Sequence, residues 1–382
     1  MLETLTPMIP AASPDLQPSP AGAWQDAPVN AAQHMRAPDW RRLWRDCVID
    51  PRELLDILGL EALAGRLSET AAAQFPLRVP RGFVARMRHG DPSDPLLRQV
   101  LPLDDEERLV PGFVLDAVGD AAAGTATGVL QKYRGRALLV ATGACAVHCR
   151  YCFRRHFPYA EQGAARDGWA DAIAAIAGDD SIDEVILSGG DPLSLATSKL
   201  AELTAALARI PHLKRLRIHT RLPVVLPERV DAALVAWMAG LPWPVTIVIH
   251  ANHVNELDGA VDAAMGRLRA TGATLLNQSV LLRGVNDSVA ALSALSERLH
   301  AAGVLPYYLH QLDRVQGAAH FEVDDGTALR LHADLSSRLS GYLVPRLVRE
   351  VAGDLGKRPV LPFHAEPRGE AGPGLDAISP FV

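Results

Sequence analysis

Three cysteines in one short run carry the most legible chemistry of this chain. They are Cys145, Cys149 and Cys152, in Gly143-Ala-Cys-Ala-Val-His-Cys-Arg-Tyr-Cys152, with the spacing C-x3-C-x2-C. Three thiolates on one loop suit three corners of a [4Fe–4S] cluster, which ordinarily takes four cysteine ligands. No fourth cysteine lies nearby, so one iron would stay open to another ligand. Zinc is the alternative, with His148 or His156 completing the set. Structural zinc sites, however, usually pair a C-x2-C with a distant second pair, and the chain has none. A disulfide fits poorly as well: four cysteines in 382 residues, without a secretory signal, read as a chain of a reducing compartment, and a cytoplasmic location is expected. The fourth cysteine, Cys47, reads as a small buried hydrophobe.

The elements that must position this loop show a regular alternation. The loop follows an apolar stretch, Ala137–Thr142, and further strand candidates are Glu184–Ser188, Arg215–Thr220, Val245–His250, Leu275–Leu282 and Leu305–His310. Alanine- and leucine-rich helical stretches such as Trp169–Ala177, Leu200–Ala208 and Ser288–Ala302 fill the gaps. Strand–helix alternation at this period implies parallel βαβ units in an α/β fold. Six units suit a partial (β/α)6 barrel, although an open doubly wound sheet would show the same pattern. Either architecture collects functional residues at the C-terminal ends of the strands. The cysteine loop, Gly189-Gly190-Asp191, His250 and Asp313 all fall there.

The remaining chain divides into four expected parts. Residues 1–38 are Ala/Pro-rich and read as a flexible tail. Residues 39–125 read as an N-terminal helical region, in which Asp50 caps a helix that begins at Pro51. Residues 126–330 form the barrel and 331–382 a C-terminal segment. A net charge of −6 argues against a general nucleic-acid binder, and no apolar run approaches the roughly 20 residues needed to span a bilayer.

Four further motifs are specific: Gly189-Gly-Asp-Pro-Leu, Thr220-Arg-Leu-Pro-Val-Val-Leu-Pro, Asn277-Gln-Ser-Val-Leu-Leu-Arg-Gly-Val-Asn-Asp and Ser340-Gly-Tyr-Leu-Val-Pro. With the cysteine loop, they resemble the lysine 2,3-aminomutases, a family of radical S-adenosylmethionine (SAM) enzymes. The resemblance runs from about Tyr133 to Lys357 and is greatest to the short bacterial branch that serves elongation factor P. It implies a radical SAM barrel that converts (S)-α-lysine to (R)-β-lysine, which a partner ligase attaches to elongation factor P. An electron donor is implied as well. Three cofactors follow from the resemblance: the [4Fe–4S] cluster on Cys145, Cys149 and Cys152, SAM on its open iron, and pyridoxal 5′-phosphate (PLP).

The resemblance also implies residue roles. Lys357 matches the lysine that anchors PLP, and Tyr133 and Arg136 match residues near its ring and phosphate; a guanidinium suits a phosphate. Gly189, Gly190 and Asp191 match the loop that binds the amino group of SAM, and His250 and Gln278 match positions near SAM. Arg154 matches the arginine that takes the substrate carboxylate, for which its planar fork is suited. Asp313 matches an acid that grips the ε-ammonium. Glu350 stands at the second acidic position, where the free-lysine enzymes have Asp. The long-chain members carry extra cysteines for a structural zinc at a subunit interface. Here Ser288 follows Asn286-Asp287 and no cysteine follows Cys152, so no zinc and a different assembly are expected.

Overall fold

A computed structural model describes residues 39–162, 169–354 and 356–361. The expected tail, 1–38, and the last part of the expected C-terminal segment, 362–382, lie outside the described residues. The centre is one ten-stranded sheet: β1 (Gly124–Ala126), β2 (Val129–Tyr133), β3 (Arg136–Thr142), β4 (Glu184–Gly189), β5 (Arg215–Thr220), β6 (Val245–Ile249), β7 (Thr274–Val280), β8 (Leu305–His310), β9 (Arg346–Arg349) and β10 (Arg358–Pro359). From β3 to β9 every strand is parallel to the next, while β1, β2 and β10 pair antiparallel at the two ends. The order in the sheet is the order in the chain. A doubly wound sheet reverses its strand order at a switch point. This sheet never does, which decides for the partial barrel over the open alternative.

All six expected strands are present within a residue or two of their bounds. The seventh parallel strand, β9, arises from the segment after 331. Two expected boundaries need correction. Strand β1 already starts at Gly124, inside the region expected to be helical. The helix Asp325–Arg338 runs across position 330, because its Ala328 and Leu335 share one core cluster with Leu281 and Leu309 of the barrel.

Side-chain alternation explains how the sheet makes a site. Successive residues of a strand point to opposite faces. On β5, Leu216 and Ile218 are buried against the helical layer, while Arg217 and His219 face a central cavity. The same holds for Arg136 and Leu138 on β3, Ile186 and Ser188 on β4, Gln278 and Val280 on β7, and Tyr308 and His310 on β8. Parallel strands covered on both faces ordinarily read as continuous apolar runs. Here the inner face sets polar side chains such as Arg136, Ser188, Arg217, His219, Gln278 and His310 among apolar ones, as in a barrel that encloses a ligand.

The N-terminal helical region packs over the cysteine loop. The helix Pro51–Leu58 starts as its sequence requires, with Pro51 in the first turn and the Asp50 carboxylate accepting from Arg52 N–H. From this layer Glu106 reaches the loop. Its carboxylate takes a two-point fork from Arg150 (2.7 and 2.6 Å) and a further bond from Arg155 (2.6 Å). All three are buried, and Arg150 also donates to the carbonyls of Phe75 and Ala71. Among the described residues no helix is long and apolar enough to cross a membrane.

Removing one partner of a buried ion pair leaves a bare charge and costs about 3–5 kcal/mol. Glu106→Ala, which leaves two arginines bare, is therefore expected to lower the thermal unfolding midpoint clearly. Arg66→Ala breaks only exposed pairs with Asp104 and Asp105 and should leave the midpoint nearly unchanged.

Candidate active site

Every site residue expected from the sequence lines one cavity of about 300 Å3 inside the barrel. The cysteine loop leaves the end of β3; β4 through β8 and the segments that follow them supply much of the lining, and Asp120, β2 and Lys357 close the other side.

The loop is held by backbone contact with the end of β4. Gly190 N–H donates to Thr142 O (2.7 Å) and Asp191 N–H to Ala144 O (2.8 Å). Gly189 has φ 119°, a conformation that favours glycine, and a Cβ there would stand 2.4 Å from Thr142 O. At Gly190 a Cβ would meet Ala144 O at 2.5 Å. The two glycines thus make room for the cysteine loop itself. The Asp191 carboxylate is fully engaged: it accepts from Thr220 Oγ1 (2.7 Å) and from the N–H groups of Leu193, Arg221 and Leu222 (3.0, 2.7 and 3.0 Å). It fastens the end of β4 to the turn after β5, and what this segment can still offer a ligand is backbone.

Burial pushes the Cys145 thiol well up, helped by Asp191 and the other two thiols, and the Cys152 thiol to about 11, helped by Cys149. Metal binding to such thiols releases their protons and supplies the compensating charge. Arg221 already donates to Cys149 Sγ (2.6 Å), as it would to a ligating thiolate. Among the described residues no three side chains converge as the ligands of a single ion, whereas a cube of four irons takes its thiolates at separate corners. The two histidines weighed as zinc ligands each spend a ring nitrogen on a backbone carbonyl, His148 on Pro76 and His156 on Gln316. Cys47 is buried in the core, as expected, with its Sγ directed at the Ala146 carbonyl of the cysteine loop (3.9 Å).

Across the cavity runs a chain of alternating charges. Arg154 Nε donates to Asp120 (2.6 Å) and its Nη1 to Ser188 Oγ (3.1 Å). Lys132 pairs with Asp120 at 2.6 Å and approaches Glu350 at 3.8 Å. Glu350 in turn accepts from Lys357 Nζ (2.9 Å) and Tyr133 OH (2.6 Å). The Glu350–Lys357 contact follows from register: β9 and β10 pair Arg349 with Arg358, so the residues just beyond that pair face each other. Burial works to raise both Asp120 and Glu350, but the adjacent cations outweigh it and hold both carboxyls below the ordinary range.

Asp313 differs. It makes no side-chain hydrogen bond among the described residues, and burial raises it to about 7 against the opposing pull of Lys357. Three imidazoles complete the wall. Burial holds His219, His250 and His310 neutral, with Lys357 adding to the effect; His250 falls to about 3 and shares a 2.8 Å contact with Gln278. Arg136 lies over the Tyr133 ring, 4.6 Å from its centroid, and its buried Nε has no partner. An unpaired buried guanidinium N–H beside an aromatic ring fits the phosphate and ring of PLP.

Comparison with known proteins agrees with this geometry. Residues 139–288 match the radical SAM superfamily. The chain is 50% identical to an L-lysine 2,3-aminomutase of Escherichia coli over 84% of this chain and 94% of that protein. It is 46% identical to the Haemophilus influenzae protein of the same name, again over 84% and 94%. Identity to the L-lysine 2,3-aminomutase of Clostridium subterminale is 31%, over 85% of this chain and 78% of that one. This chain belongs to the lysine 2,3-aminomutase family. It is a radical SAM isomerase, and that superfamily uses a [4Fe–4S] cluster with SAM.

Several cavity residues escaped the sequence reading: Asp120, Lys132, Arg217, His219, Arg221 and His310. The signal for Arg217, His219 and His310 was present as polar residues at alternate positions of otherwise apolar strands. Asp120 carried none, since it lies in an irregular segment before β1.

Gly190→Ala should displace the cysteine loop and lower the iron held per chain after anaerobic reconstitution. Gly266→Ala, where a Cβ meets nothing within 4 Å, should retain full iron.

Proposed function

We propose that this chain is a PLP-dependent lysine 2,3-aminomutase that converts (S)-α-lysine to (R)-β-lysine. The observation that carries the reading is the single cavity in which the cysteine loop, the Arg154 cation, the Asp313 carboxylate and Lys357 meet. When bound, the cluster with SAM supplies a hydrogen-abstracting radical, and PLP supplies the aldehyde that holds the migrating amino group.

The chain's own residues then have definite tasks. Cys145, Cys149 and Cys152 ligate three irons. Arg154 binds the substrate carboxylate; Asp120 and Ser188 fix its guanidinium, so little orientation remains to be lost on binding. Asp313, the acid without a partner, takes the ε-ammonium. Lys357 anchors PLP, and Glu350 with Tyr133 holds Lys357 at the wall. Glu350, expected as the second acid for the ε-ammonium, has this holding role first. Arg136 takes the phosphate. Backbone of the Gly189–Asp191 loop, together with His250 and Gln278, forms the SAM side. Neutral imidazoles there put no extra positive charge beside a cationic cofactor.

We assign the product to post-translational modification of elongation factor P, with a ligase and an electron donor as partners, in the cytoplasm. Support for this comes from length: the chain spans 94% of the short Escherichia coli and Haemophilus influenzae relatives but 78% of the Clostridium protein.

The test is anaerobic turnover of L-lysine with SAM, PLP and dithionite, read by chiral mass spectrometry. The wild type should form (R)-β-lysine, and Lys357→Ala should form none while keeping its iron. β-Lysine from Lys357→Ala would refute the PLP assignment. Lysine binding should also depend on pH. Asp313 must be ionised to hold the ammonium, so affinity should fall as pH is lowered through about 7. Asp313→Asn should bind lysine weakly and without that dependence.

A further inference from the structure

We propose that Arg221 is a positioning residue whose hydrogen bond to Cys149 sets the reduction potential of the cluster. The inference rests on the cluster reading of the three cysteines. Arg221 stands just after β5, its backbone N–H tied to Asp191 (2.7 Å). Its guanidinium is buried, and both terminal nitrogens are directed while Nε has no partner among the described residues. Nη1 donates to Cys149 Sγ (2.6 Å) and Tyr151 OH (2.7 Å). Nη2 donates to Gln99 Oε1 (2.7 Å) and Glu256 Oε2 (2.9 Å). Glu256 is itself buried and anchored by the N–H groups of Asn252 and His253. The counter-charge therefore sits on one edge of the fork and the sulfur on the other. Among the described residues neither Cys145 nor Cys152 receives a side-chain donor.

Reduction adds one negative charge to a cluster. A cation that donates a hydrogen bond to a ligating sulfur stabilises that extra charge more than the oxidised form, which raises the potential. Burial strengthens the effect, because little solvent screens it. A purely structural cross-link would stabilise both redox states alike. Electron entry precedes SAM cleavage, so Arg221 bears on how readily a given donor starts the reaction without touching substrate.

The test is a potentiometric titration of the reconstituted full chain with dithionite, followed by electron paramagnetic resonance. Arg221→Gln removes the charge but leaves Glu256 bare in the core. Arg221→Gln/Glu256→Gln removes both charges and is the safer variant. In Arg221→Gln the midpoint should fall by at least 59 mV, a tenfold loss of the reduced form at fixed potential for one electron; in the double variant, where the lost carboxylate offsets part of the lost cation, it should still fall. An unchanged midpoint at full iron content overturns the proposal. If neither variant holds the cluster, pulsed resonance on reduced wild-type protein carrying 15N-guanidino arginine decides: a 15N coupling is expected, and its absence overturns the proposal. A wild type that binds no cluster refutes the underlying site reading as well as this inference.

Discussion

The buried fork between Arg150 and Glu106 is the interaction on which the rest of this structure depends. A loop carrying three thiols has no regular hydrogen bonding of its own and must be fixed from outside. Arg150 lies between Cys149 and Cys152, and Arg155 lies just past them; both reach the same carboxylate on the N-terminal layer. Buried charges are tolerated only when paired and hydrogen-bonded. Glu106 and two backbone carbonyls meet that condition, so this arrangement is strongly preferred over any that exposes one partner. From the other side the barrel completes the grip. Two glycines let β4 touch the loop, and Asp191 ties β4 to the turn that carries Arg221.

The same logic of mutual satisfaction shapes the cavity. Arg154, Asp120, Lys132, Glu350 and Lys357 form a line in which each charge meets its opposite. Such a line keeps the site folded before any ligand arrives, and it leaves particular groups wanting a partner. Among the described residues these include Asp313, the Arg136 Nε and the Nε2 atoms of His219 and His310. A substrate with a carboxylate and a distant ammonium meets fixed charge of the right sign at each end. The neutral histidines that line the same cavity add no positive charge to it.

Much of this was legible in the residues. Strand–helix alternation gave the barrel units, and the spacing of Cys145, Cys149 and Cys152 pointed by itself to a loop suited to a cluster. Lys357, Arg154 and Asp313 were visible only through resemblance, because a lone lysine or arginine in a loop has no local signature. The strand order, which separates a partial barrel from a doubly wound sheet, is a long-range property that periodicity does not encode. Gly189 and Gly190 suggested close approach, but not that the approaching group is the protein's own loop. Asp120 and Arg221 were missed because their meaning lies in tertiary partners 34 and 72 residues away in sequence.

The central claim is that one cavity presents Arg154 to a carboxylate and Asp313 to an ammonium. The most direct measurement is an anaerobic crystal structure of the chain loaded with cluster, SAM, PLP and L-lysine. The account predicts the lysine carboxylate on Arg154 and its ε-ammonium on Asp313. Lysine bound in the opposite sense, or outside this cavity, would contradict it.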